Sequence, residues 1–296
     1  MSIPADNQAI DAEPVAPSKA NASVFSIVIR HPSILVGGIL LVIMTLIGVF
    51  GPLFTVDPIA INPINRLKPP TEADWFGTDY LGRDTFARVI HGARISLVVG
   101  IAVAVIAISI GLVVGLVAGY VRPLEAIIMR IMDGLMAIPG ILLAIAMISL
   151  SGATLGTVIL AIVIPEIPRV VRLVRSVVLT VREEPYVEAA IASGTRLPLI
   201  LFRHILPNTI APMIVQATYV CGSAMLTESI LGFLGAGIPP EIPSWGNIMS
   251  EGRTYFQISP WIIFYPGIAL AMTVLSVNVL GDGLRDTLDP RIARKM

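Results

Sequence analysis

The stretch ISLVVGIAVAVIAISIGLVVGLVAGY, Ile95–Tyr120, decides the fold class. Its 26 residues include no Asp, Glu, Lys or Arg, and a helix of about 20 apolar residues crosses the hydrocarbon of a bilayer. Working outward, further apolar runs appear at Ile34–Phe54, Ile131–Leu150, Thr157–Val171, Ile210–Leu231 and Trp261–Leu280. The fold expected is an all-α integral membrane bundle of about six spanning helices. Thr157–Val171 is the shortest run and carries Pro165, Glu166 and Pro168. It is therefore expected to kink, or to lean on neighbours that meet its freed backbone groups.

Composition agrees with lipid as the solvent. Hydrophobic residues make up 55% of the chain and charged residues 14%, where a soluble domain carries roughly 25% charged residues. Lys and Arg balance Asp and Glu at 20 each, so the global basic field that nucleic-acid binding requires is missing. Cys221 is the single cysteine and His31, His91 and His204 lie far apart, which excludes an intrachain disulfide framework and supports no metal site.

Residues 1–30 are polar, hold Pro4, Pro14 and Pro17, and lack the order of a signal peptide. They read as a disordered tail. Residues 31–94 are expected to form the first span and an extracytoplasmic loop, 95–285 the core, and 286–296 a second tail. With six spans both termini share a side. Placing them inside puts fourteen Lys and Arg in inner segments against six in outer ones, so the positive-inside rule predicts cytoplasmic termini. The stripe Gly111, Gly115, Gly119 lets helices approach closely, and tight packing within the subunit is its expected use.

The longest inner loop, 182–208, is not a simple linker. Pro185 suits the first turn of a helix, Glu183 and Glu184 complement its dipole, and Glu188-Ala189-Ala190 continue with helix formers. Gly194 ends or bends that helix. A second short helix, Leu197 to Leu206, would lead through Pro207 and Asn208 into the fifth span. Two short helices joined by a glycine turn make a rigid knob suited to docking in a soluble partner.

These residues carry a resemblance. Glu188-Ala189-Ala190, then Gly194, then Leu206-Pro207 resembles the EAA loop of bacterial ABC-importer permeases, which meets the ATPase subunit. His204 stands where that pattern often has an aliphatic residue, and Arg203-His204-Ile205-Leu206-Pro207-Asn208 is similar to the dipeptide, oligopeptide and nickel branch. Phe76-Gly77-Thr78-Asp79-Tyr80-Leu81-Gly82-Arg83-Asp84 and Glu228-Ser229-Ile230-Leu231-Gly232-Phe233-Leu234-Gly235 also resemble that branch. So do Pro243-Ser244-Trp245-Gly246-Asn247 and Leu280-Gly281-Asp282-Gly283-Leu284-Arg285-Asp286, close to the C-type subunit of dipeptide permeases.

The resemblance implies a type I importer bundle in the bacterial inner membrane, with Glu188, Ala189, Ala190, Gly194, Leu206 and Pro207 as the coupling contact. It implies as partners a second homologous permease, two ATPase subunits and an extracytoplasmic solute-binding protein. No Gly-x-x-x-x-Gly-Lys-Ser/Thr loop occurs in the chain. ATP and Mg thus belong to the ATPases, and this chain is expected to be no enzyme and to bind no cofactor. Peptide is the expected cargo, with glutathione, opines and nickel chelates also within the branch. A self-sufficient carrier and an intramembrane enzyme are the rival classes; for the second, no His-Glu-x-x-His or Gly-x-Ser-x-Gly appears.

Other residues have local readings. Asp79, Arg83 and Asp84 in the outer loop read as an exposed ion-pair network of small energy, or as a surface that receives or gates the binding protein. Glu228, in or near the end of the fifth span, reads as a pathway or gate residue or as a helix-end charge near the interface, and Asp133 is read likewise. Trp245, Trp261 and Tyr265 are expected in an interfacial belt. Arg169, Arg172 and Arg175 are expected to anchor topology against acidic lipid.

Overall fold

A computed structural model of the chain describes residues 31–288. The tail expected at 1–30 and the last residues, 289–296, lie outside the described residues. The helices are α1 (Pro32–Phe50), α2 (Thr85–Tyr120), α3 (Arg122–Ala137), α4 (Gly140–Ser151) and α5 (Leu155–Arg182). They continue with α6 (Pro185–Ala192), α7 (Leu197–Ile200), α8 (Leu206–Phe233), α9 (Trp245–Gly252) and α10 (Trp261–Leu288). Among the described residues there is no strand, only an isolated bridge between Thr78 and Asp84.

Local chemistry sets the boundaries. Asp84 caps α2, its carboxylate accepting from the amides of Phe86 at 2.9 Å and Ala87 at 3.4 Å, which satisfies two orphan donors of the first turn. Burial raises the Asp84 carboxyl above its ordinary value in spite of those amides. At 1.5 Å per residue α2 is about 54 Å long, so it overruns the expected Ile95–Tyr120 segment by about three turns at its start. Thr154 and Thr157 form a reciprocal capping box at the start of α5.

One span and one loop helix differ from expectation. The run Ile131–Leu150 is not one helix: α3 and α4 meet at 85°. Pro139 is the cause, since the residue before a proline is driven out of the α region and Ile138 is extended at φ −91°, ψ 126°. The second short helix expected at Leu197 to Leu206 is not separate either. A π turn at Leu201–Ile205 joins α7 to α8, absorbing the register change that Pro207, with no amide donor, imposes on the ladder. The Asn208 side chain donates to the His204 carbonyl there, at 2.6 Å.

Among the described residues, four helical segments are long and apolar enough to cross a membrane, Pro32–Leu53, Thr85–Tyr120, Leu197–Phe233 and Trp261–Leu288, and five with the bent α3–α4 pair. Helix α5 has the length, but its second half carries Arg169, Arg172, Arg175 and Arg182. Pro165 and Pro168 lie inside α5 without ending it.

The expected use of the glycine stripe is observed. Gly111, Gly115 and Gly119 of α2 face Val170, Val174 and Val178 of α5 in parallel register. A Cβ on Gly115 would stand 2.5 Å from the Val174 Cβ, and one on Gly119 2.6 Å from that of Val178. This seam runs through one apolar core, with a second formed by Val89, Met225, Trp245, Ile248 and Ile262. Because the two helices are parallel, the end of α2 and the α6 knob share one end of the bundle, and Asp84 with the 51–84 loop marks the other.

Candidate functional site

At the knob end, α6 starts on Pro185 and closes in a two-bond C-cap. The Thr195 amide donates to the Ala190 carbonyl at 3.1 Å and the Gly194 amide to Ile191 at 3.0 Å, with Gly194 left-handed at φ +75°. This is the Schellman arrangement, which glycine adopts without a Cβ penalty. Only Val187 of α6 is buried. Glu188, Ala189 and Gly194 are exposed, and Ala190 and Leu206 are half-buried. Around them stand exposed Tyr186, Ile191, Leu199 and Phe202, the last 69% accessible. The Tyr186 hydroxyl accepts from Asn208 Nδ2 at 3.1 Å, tying the knob to the start of α8 beside exposed Pro207. The structure thus brings Glu188, Ala189, Ala190 and Gly194 onto one protruding element.

At the opposite end the expected exposed network is buried. Asp79 has no accessible surface and Arg83 and Arg88 almost none. Arg83 Nε donates to Asp79 Oδ2 at 2.6 Å, Arg83 Nη2 to Glu251 Oε2 at 2.6 Å and Arg88 Nη1 to Asp79 Oδ2 at 2.7 Å. Arg88 Nη1 also reaches Glu251 Oε2, while the Leu81 and Arg83 amides satisfy Asp79 Oδ1. Asp79 and Arg83 cannot present themselves to a docking protein from this position. They lock the loop to α2 and α9 instead, and Asp84 serves as the cap described above. Arg88 and Glu251 were not legible in this role, since 163 residues separate them.

Glu228 is fully buried between α2 and α9, not at an interface. Ser96 Oγ donates to its Oε2 at 3.3 Å, with Ser229 Oγ at 3.5 Å, and Oε1 has no partner. The residue lines neither groove of the molecule described below. Trp245 also departs from expectation: it is wholly buried and its Nε1 donates to the Val89 carbonyl at 3.0 Å. Trp261 and Tyr265 are half-buried; Tyr265 stacks on Phe76 at 4.0 Å and Trp261 Nε1 donates to Thr78 at 3.4 Å.

The α5 arginines meet carboxylates. Arg172 pairs with Asp133 at 2.6 Å, Arg175 Nε with Glu125 at 2.9 Å and Arg169 with Glu166 at 3.2 Å. Glu166, noted in the sequence only as an interruption of a short run, lies in the wall of a groove of about 380 Å³ at the α3–α4 break. An ionisable residue between two prolines in an apolar run was the available signal. A second groove, about 640 Å³, lies among Pro207, Gln216 and Arg285 near the knob.

Comparison with known proteins accounts for this architecture. A family described as the inner membrane component of binding-protein-dependent transport systems matches residues 107–294, and the N-terminal transmembrane domain of oligopeptide transport permease C matches residues 23–70. The chain belongs to the family of binding-protein-dependent transport system inner membrane components. Within this family it is 57% identical to a probable peptide ABC transporter permease of Sinorhizobium fredii, over 90% of this chain and 91% of the relative. It is 45% identical to a dipeptide transport system permease of Alkalihalophilus pseudofirmus, over 87% and 86%.

Its fold is that of an ABC importer permease. An inward-facing structure of the MetNI methionine ABC transporter superposes with a TM-score of 0.57 at 21% identity, over 69% of this chain and 97% of that one. The knob and the Glu166 groove fall inside the match of the inner membrane component family, whereas Asp79, Arg83 and Arg88 lie between the two matched segments.

Proposed function

We propose that this inner membrane component is one of two permease subunits of an ATP-driven peptide importer, with both termini in the cytoplasm. The observation that carries the reading is the exposed α6 knob, fixed at one end by Pro185 and at the other by Gly194. Glu188, Ala189, Ala190 and Gly194 dock in a separate ATPase subunit, and Leu206 and Pro207 carry the movement into α8. Two such ATPases, which use ATP and Mg, close on nucleotide binding and shift the bundle between inward- and outward-open populations. A second, homologous permease supplies the other half of the pathway, and an extracytoplasmic solute-binding protein delivers cargo. The peptide and dipeptide permeases among the relatives support peptide as that cargo.

The test is co-purification of this chain, wild type and the Glu188→Arg, Gly194→Val double variant, from membranes expressing its neighbouring genes. Wild type is expected to bring down ATPases and to support ATP-dependent peptide uptake in vesicles, and the variant to lose both. A variant that retains both removes the knob from the coupling mechanism.

A further inference from the structure

The groove at the α3–α4 break joins features that no packing need explains. Its wall carries a buried carboxylate: the Glu166 side chain is 8% exposed, and a buried charge is costly unless it is paired and hydrogen-bonded. Ser223 Oγ, from α8, donates to Glu166 Oε1 at 3.2 Å. The guanidinium beside it belongs to the mouth of the groove. Arg169 Nη1 reaches the two Glu166 oxygens at 3.2 and 3.4 Å, but its side chain is 47% exposed, so water screens that pair and holds it weakly. Pro165, in the wall, and Pro168 remove the amide donors that would meet the carbonyls of Ala161 and Ile164. The opposite wall is the Ile138-Pro139 break, and Thr227 completes the lining.

A groove with a buried carboxylate and an adjacent, half-exposed guanidinium matches a zwitterion. We propose that Glu166 receives the α-ammonium of a peptide in transit, displacing Arg169, which then turns to the peptide's carboxylate. The exchange keeps the charge count of the groove constant. It replaces one screened ion pair by two charge-assisted contacts with cargo. Glu228, by contrast, is fully buried against Ser96 and Ser229 and lines neither of the two grooves described above. This inference rests on the peptide-importer reading.

The experiment uses the complete complex, with its ATPases and binding protein, in proteoliposomes. Thr227→Cys is placed in a Cys221→Ser background, and its labelling by positive, negative and neutral methanethiosulfonates is followed with and without L-alanyl-L-alanine and ATP. The proposal predicts that the positive reagent labels at least five times faster than the negative one, and that the dipeptide with ATP slows it. Adding Glu166→Gln is expected to abolish the charge preference, to leave neutral labelling unchanged and to lower dipeptide uptake at least tenfold. Glu166→Asp is expected to retain most uptake. A Thr227→Cys that does not label, labelling indifferent to dipeptide, or a preference that survives Glu166→Gln each overturns it. If the Cys221→Ser complex itself takes up no dipeptide under ATP, the importer reading fails instead, and the two failures are thereby distinguished.

Discussion

Gly194 shows how a single backbone angle fixes a recognition element. It sits at φ +75° with no neighbouring atom within 4 Å of the position a Cβ would take, so any substitution is penalised by the backbone alone and not by crowding. Gly194→Val is therefore expected to destabilise the C-cap by about 1–2 kcal/mol, Gly194→Asn by less, and ATPase recovery on co-purification should follow that order. Asp84 offers a second residue-scale test. Because burial raises its carboxyl, its charged form is disfavoured in the folded state, so that contribution weakens stability as pH rises through the carboxylate range. Asp84→Asn keeps the cap without the charge and is expected to leave thermal stability in detergent unchanged, whereas Asp84→Ala loses about 1 kcal/mol. Both the cap and the turn glycine are local devices. Gly194 was legible in the sequence as the end of α6 for that reason, while Asp84 lost its expected place in an exposed network once Asp79 and Arg83 proved buried.

Among elements, the α2–α5 seam is closely packed, valines of one helix lying against glycines of the other. Gly115→Leu would drive a side chain into Val174 and Val171, and overpacking of this kind costs about 1–3 kcal/mol. A clear fall in the detergent melting temperature is expected, with Gly134→Leu, whose position has open space, as the silent control. Continuous apolar character made α1, α2, α8 and α10 readable, since it needs no knowledge of neighbours. The α3–α4 break was not read although Pro139 stood in the sequence, because the apolar run masks where a proline bends it. Helix α5 extends past Val171 to Arg182, where Val174 and Val178 pack on Gly115 and Gly119 and Arg172 and Arg175 meet Asp133 and Glu125, partners that only the fold supplies.

At the scale of the whole molecule, two ends with different physics are joined by long helices. The far end is locked: Asp79, Arg83, Arg88 and Glu251 bind the 51–84 loop to α2 and α9 in a buried, charge-balanced cluster. Removing one member leaves an uncompensated buried charge, so Asp79→Asn is expected to cost about 3–5 kcal/mol and to expose the loop to protease. The knob end is free, with apolar side chains and a rigid helix turned outward. Its docking is the central claim, and cysteine cross-linking in native membranes tests it most directly. In a Cys221→Ser background, Ala189→Cys is expected to give an adduct with the co-expressed ATPase, and Thr154→Cys at the opposite end none. An adduct from Thr154→Cys, or none from Ala189→Cys in a complex that still transports, would contradict the account.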